Sequence, residues 1–222
     1  MRKGDVVWIL ALAAVLVAFA HPATGNALNS LSASHPYLMG FAKFAILATM
    51  GELLVFRLQK GRWQRPKGLV ARALVWGIVG ILIVLMFGLF VAGVAGAAST
   101  GLLPVGKGWV SDFLHAFWTS ALMNLTFGIA FMAAHRVSDA WIDARAAGGR
   151  VRLSEVVVSV DWNRFFTFVV GKTIPLFWIP AHTITFLLPG EYRVLVAALL
   201  SIALGVILTW GKQSKEGRAE KA

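Results

Sequence analysis

Cysteine is absent from this 222-residue chain, which excludes disulfides, thiolate metal ligands and cysteine nucleophiles at once. Charge is scarce: only 14% of residues are Asp, Glu, Lys or Arg, against about 25% in an ordinary soluble domain. Acidic residues are scarcer still, ten against 21 Lys and Arg. Strict apolar–polar alternation is missing from the apolar runs, so a membrane β-barrel is not expected. No phosphate-cradling glycine loop, nucleophile elbow or spaced histidine ligand set occurs; His21, His35, His115, His135 and His182 are scattered.

What is present is apolar length. Hydrophobic residues make up 58% of the chain and mean hydropathy is +0.74. A spanning helix needs about 20 mostly apolar residues. Six stretches meet or approach that: 6–20, 37–56, 73–98, 113–134, 165–188 and 194–210. The expected class is an all-α integral membrane protein of six transmembrane helices in a single membrane domain. The first run also fits a cleavable secretory signal, since Arg2-Lys3 precede a 15-residue apolar core.

Net charge of +11 would suggest nucleic acid in a soluble protein. Here the bases sit between apolar runs, so they set topology and meet anionic lipid head groups; no nucleic-acid partner is expected. Seventeen of the 21 basic residues fall in the N-terminus, the 57–72 loop, the 136–164 segment and the tail, while Lys107 and Arg193 lie opposite. The positive-inside rule then places both termini on the cytoplasmic side of the inner membrane, or of an organelle's inner membrane in a eukaryote. Residues 21–36 carry no charge and read as a translocated loop. Residues 138–160 read as a cytoplasmic interfacial segment broken at Gly148-Gly149. Trp63, Trp109, Trp162 and Trp210 fall near expected interfaces. Leu188-Pro189-Gly190-Glu191 reads as a tight turn that uses glycine's tolerance of positive φ.

Polar groups at bilayer depth are the pointers to function, because an ionised side chain at mid-bilayer costs about 2.5–3.5 kcal/mol on the lenient insertion scale. Lys43 and Glu52 lie nine residues apart, hence on opposite sides of one helix and about 13 Å apart along it. Each needs its own partner: Lys43 by reaching the head groups, Glu52 by pairing with Arg57 or another base. Lys172 occupies the matching place in the second half, if two three-helix halves are inverted repeats. Pro175 and Pro180 are candidate hinges, since each removes a backbone donor. His182, Thr183 and Thr185 surround that stretch, and Ser120, Asn124 and Thr126 are expected to face the same interior. Gly88, Ala92 and Gly96 form a small-residue stripe suited to close helix packing. Asp139 and Asp143, one helical turn apart, are the weak metal candidates, for a magnesium-dependent lipid-acting enzyme.

Two C-terminal segments carry a resemblance. Trp178-Ile179-Pro180-Ala181-His182-Thr183-Ile184-Thr185-Phe186, followed by Pro189-Gly190-Glu191-Tyr192-Arg193-Val194-Leu195, is similar to the signature of the Mpv-seventeen and twenty-two-kilodalton peroxisomal membrane protein family. Gly51-Glu52 and Asn124-Leu125-Thr126-Phe127 are weaker echoes. His182 stands for the family's Gln and Thr185 for its Asn, and Met123 and Ile129 depart from its Asp and Pro. The resemblance implies a small multipass protein with pore-like passage of small solutes. Family members are usually drawn with four crossings, so six would be an addition.

The functional expectation is a pore or carrier for a small anionic solute, not an enzyme, with no cofactor and with the bilayer and a homo-oligomeric copy as partners. Solute-pathway candidates are Lys43, Glu52, Asn124, Lys172, His182, Thr183 and Thr185. The alternatives are the lipid-acting enzyme and a non-catalytic assembly subunit.

Overall fold

The computed structural model describes residues 2–148 and 151–219. Met1, Gly149, Arg150 and Lys221 lie outside the described residues, as do the side chains of Trp210, Lys212, Lys215 and Arg218. Among the described residues the secondary structure is entirely helical. The elements are α1 (Lys3–Ala20), α2 (Pro22–Ser34), α3 (Pro36–Lys60), α4 (Leu69–Ser99), α5 (Trp109–Met123), a π-wound turn (Asn124–Gly128), α6 (Ile129–Ala146), α7 (Leu153–Ser159), the single turn α8 (Trp162–Arg164), a second π-wound segment (Phe165–Trp178), α9 (Ile179–Leu187) and α10 (Gly190–Ala219).

Among the described residues, five helices are long and apolar enough to cross a membrane: Lys3–Ala20, Pro36–Lys60, Leu69–Ser99, Trp109–Ala146 and Gly190–Ile207. The expected run at 165–188 is helical but changes winding, π to Trp178 and α beyond it. Pro175 sits inside the π part and Pro180 at the start of α9, which follows it without a break, so each removes a backbone donor from one continuous helical run.

Three expectations need correction. Residues 21–36 are not an irregular loop, because Pro22 and Pro36 each start a helix with φ already fixed, leaving only His21 and His35 as links. The fourth apolar run does not end at 134; its helix continues to Ala146, so residues 138–146 are its last turns rather than part of a separate interfacial segment. The break then comes at Gly148, with φ of 98°, and α7 follows as a seven-residue helix. Gly190 begins α10 and is not among the positive-φ glycines. The turn is made by extended Leu188 and by Pro189, whose carbonyl accepts from Tyr192 N at 3.1 Å.

The chain divides into two compact units, Met1–Ile81 with Ala198–Ala222, and Leu82–Ala197. In the first, helices approach closely through glycine. The Gly40 backbone occupies the space a Cβ on Gly80 would need, and the Phe41 ring fills that beside Gly77. Gly51 faces Ile202, and Gly205 faces Val55. Asp5 ties α1 to the end of α3: its carboxylate accepts from Arg57 at 2.9 Å and from the Trp63 indole at 2.8 Å. The Trp8 indole donates to Met50 O at 3.0 Å. The core of the second unit holds Phe165, Ile174 and Met123, all nearly sealed, with Phe87 packed on Phe186 at 4.7 Å between ring centroids.

Candidate functional site

The second unit assembles one buried polar centre. At the start of the single π turn, Asn124 is 2% exposed. Its Nδ2 donates to Ser120 O at 2.8 Å and lies 3.1 Å from His182 Nδ1; its Oδ1 lies 3.3 Å from the same nitrogen. The pair can therefore bond in either direction. An imidazole protonated at Nε2 accepts from the amide, and the other tautomer donates to it. The Ser120 hydroxyl donates across to Ile179 O at 2.7 Å, joining α5 to α9. π turns recur at functional positions, and here the altered winding begins at the residue that meets the histidine.

Aromatic rings enclose the imidazole. Trp178 stacks on His182 at 5.1 Å with 21° between planes, and Phe87 meets it edge-on at 5.8 Å. The Trp178 indole N–H is buried and has no acceptor among the described residues. An unmade bond of that kind costs about 1–3 kcal/mol. The centre thus offers a surplus donor beside a reversible amide–imidazole pair.

Thr183 and Thr185 are buried on α9, but their hydroxyls turn back onto Ile179 O and Ala181 O at 2.8 and 2.9 Å. Thr126 is not interior as expected: it is exposed and bonds back to Leu122 O. Lys172 is exposed on the second π segment, while its neighbour Thr173 is buried and donates to Phe168 O at 3.2 Å.

In the first unit, Lys43 and Glu52 have separate surroundings, as their opposed positions on α3 require. Lys43 is 6% exposed and donates to Ser32 Oγ at 2.9 Å. It does not reach outward; α2 covers it. Glu52 accepts from the Trp76 indole at 2.9 Å and lies 4.0 Å from Arg72 Nη1. Arg57 is not its partner, because Arg57 is engaged by Asp5. Asp139 and Asp143 share a face of α6, where His135 Nε2 stands 3.6 Å from Asp139.

A cavity of about 450 Å³ lies elsewhere in the second unit, lined by Met86, Leu89, Phe90, Gly93, Val94 and neighbouring apolar side chains. None of the solute-pathway candidates borders it.

Sequence reasoning singled out Asn124 and His182 without foreseeing that they touch. It placed Trp178 only within the C-terminal pattern, and it missed Asn29 and Ser32 altogether. The signal for α2 was present: prolines at 22 and 36, and a stripe of Gly25, Leu28, Asn29 and Ser32 at helical spacing. Comparison with known proteins finds no matching family model, curated protein or solved structure.

Proposed function

We propose that this multipass membrane protein is a carrier or pore for a small anionic solute, with Ser120, Asn124, Trp178 and His182 as its polar station. The observation that carries the reading is the buried Asn124–His182 pair beside an indole N–H with no acceptor. Polar groups at bilayer depth are expensive and commonly mark a route for solutes or protons. The packed centre makes this conformation the closed one, and the π-wound segment with Pro175 the natural place for it to open. Thr183 and Thr185 become ligands only after releasing their own helix carbonyls. The net charge of +11 favours an anion.

The same reading takes 165–188 as a sixth crossing and both termini as cytoplasmic, in an inner membrane rich in anionic head groups. The docking of Asp5 and Trp8 onto α3 supports α1 as a retained span. The proposed kinship with the Mpv-seventeen family draws on the same place, since Trp178 and His182 from one quoted segment meet Asn124 from another. The matching of Lys43 with Lys172 as inverted counterparts is weaker, one being buried and the other exposed. No catalytic role is assigned.

The test is flux in proteoliposomes loaded with sized anions. Release that rises with protein density and falls in Asn124→Leu is expected. Anions that stay trapped at every density overturn the reading.

One observation favours assembly as a second reading. Gly88, Ala92 and Gly96 are exposed, and no neighbouring atom lies within 4 Å of a Cβ built at Gly88 or Gly96. A stripe of this kind suits a neighbouring helix. Specific cross-linking through Ala92→Cys, with no flux, would select this reading over passage.

A further inference from the structure

Between Asp5 and Glu52 the chain has no acidic residue, and Lys43 is its only lysine or arginine. Asp5 is held by Arg57 and Trp63, and Glu52 by Trp76 with Arg72 nearby. Lys43 is nonetheless 6% exposed, and among the described residues no carboxylate stands within ion-pair distance of it. An ammonium has three N–H groups. One goes to Ser32 Oγ at 2.9 Å, and the Phe19 ring lies 5.3 Å from Nζ. The one hydroxyl proton of Ser32 is committed, since it donates to Leu28 O at 2.6 Å. One turn before Ser32, on the same stripe of α2, the Asn29 Oδ1 is buried with no donor among the described residues.

A cation removed from water needs a counter-charge or must give up its proton. We infer that Lys43 and Asn29 form an oxyanion site beneath α2, with Ser32 holding the ammonium in place, taking one carboxylate or phosphate group. The ligand supplies the missing negative charge and accepts the remaining ammonium N–H groups. Turned by 180°, the Asn29 amide presents Nδ2 to the same oxyanion. Entry follows displacement of α2, which is joined to its neighbours by the single residues His21 and His35. The oxyanion is either a soluble anion or an anionic lipid head group. This inference rests on the first unit alone and does not require transport.

The experiment is thermal unfolding of the full chain in nanodiscs without any ion gradient. In one arm, zwitterionic discs receive inorganic phosphate or acetate; in the other, phosphatidylglycerol replaces part of the lipid. A rise in Tm in the first arm identifies a soluble anion, and a rise only in the second identifies a head group. In either case Lys43→Met should weaken the apparent affinity about tenfold or more, while exposed Lys107→Met leaves it unchanged. No rise in either arm, or a rise equal in Lys43→Met, overturns the site. Should Lys43→Met fail to fold, Asn29→Asp decides. An internal carboxylate should raise Tm without added anion and abolish the anion response, and an undiminished response overturns the site. Loss of flux with this binding intact would defeat the transport reading and leave the site standing.

Discussion

Lys43 in the first unit and His182 in the second are equally hidden, each 6% exposed, yet their neighbours treat them differently. His182 is met by a neutral amide that bonds in either direction and by three aromatic rings. Lys43 is met by one hydroxyl and one ring, and the acidic residues nearest in sequence are committed to arginines and indoles. A neutral polar pair can be buried with its bonds made inside the protein, whereas a charge cannot be buried alone. The two regions therefore differ in what they lack: the histidine centre is short of one acceptor, for Trp178, and the lysine site is short of a whole counter-ion.

Substitutions test this contrast, and the largest effect is expected where a charge has found its partner. Arg72 is 6% exposed beside Glu52, so Arg72→Ala should destabilise the protein by about 3 kcal/mol, read from denaturant unfolding in detergent. Lys43→Met should do the reverse in anion-free zwitterionic discs. Removing a buried charge with no carboxylate beside it should raise stability by about 1–2 kcal/mol, somewhat under the insertion penalty for such a charge. If both substitutions destabilise equally, Lys43 has an internal counter-charge and the contrast collapses.

The outline of this contrast was legible in the chain. Most of the expected apolar runs recur as helices long and apolar enough to cross a membrane, because length and hydropathy alone decide that. The opposed placement of Lys43 and Glu52 followed from 100° per residue, and their separate partners agree with it. What was hidden depends on distant contacts or altered winding. Composition does not specify that Arg57 is taken by Asp5, 52 residues away, leaving Glu52 beside Arg72. Nor do 3.6-residue projections survive a π segment, where each added residue per turn rotates later side chains to new faces. Thr126 needs no such shift: two residues past Asn124, it stands about 200° round even a regular helix, so its exposure follows from spacing that the expectation overlooked.

Smaller effects sharpen the neutral side of the comparison. Asn124→Leu leaves Ser120 O and the imidazole without their amide and should destabilise by about 1–2 kcal/mol, measured as a fall in Tm. His182→Gln installs the residue that the resembled family carries, with a side-chain amide able to meet Asn124 in both directions. Its loss should be about 0.5–1 kcal/mol, the lower range for an aromatic pair, since the amide contact is kept. Most of that loss should come from the stacking with Trp178 rather than from the hydrogen bond. A double-mutant cycle between His182→Gln and Trp178→Phe separates the two: strong coupling places the imidazole's value in the stack. No coupling would place it in the amide bond, making the rings an apolar wall and the acceptor-less indole N–H the only polar feature they add.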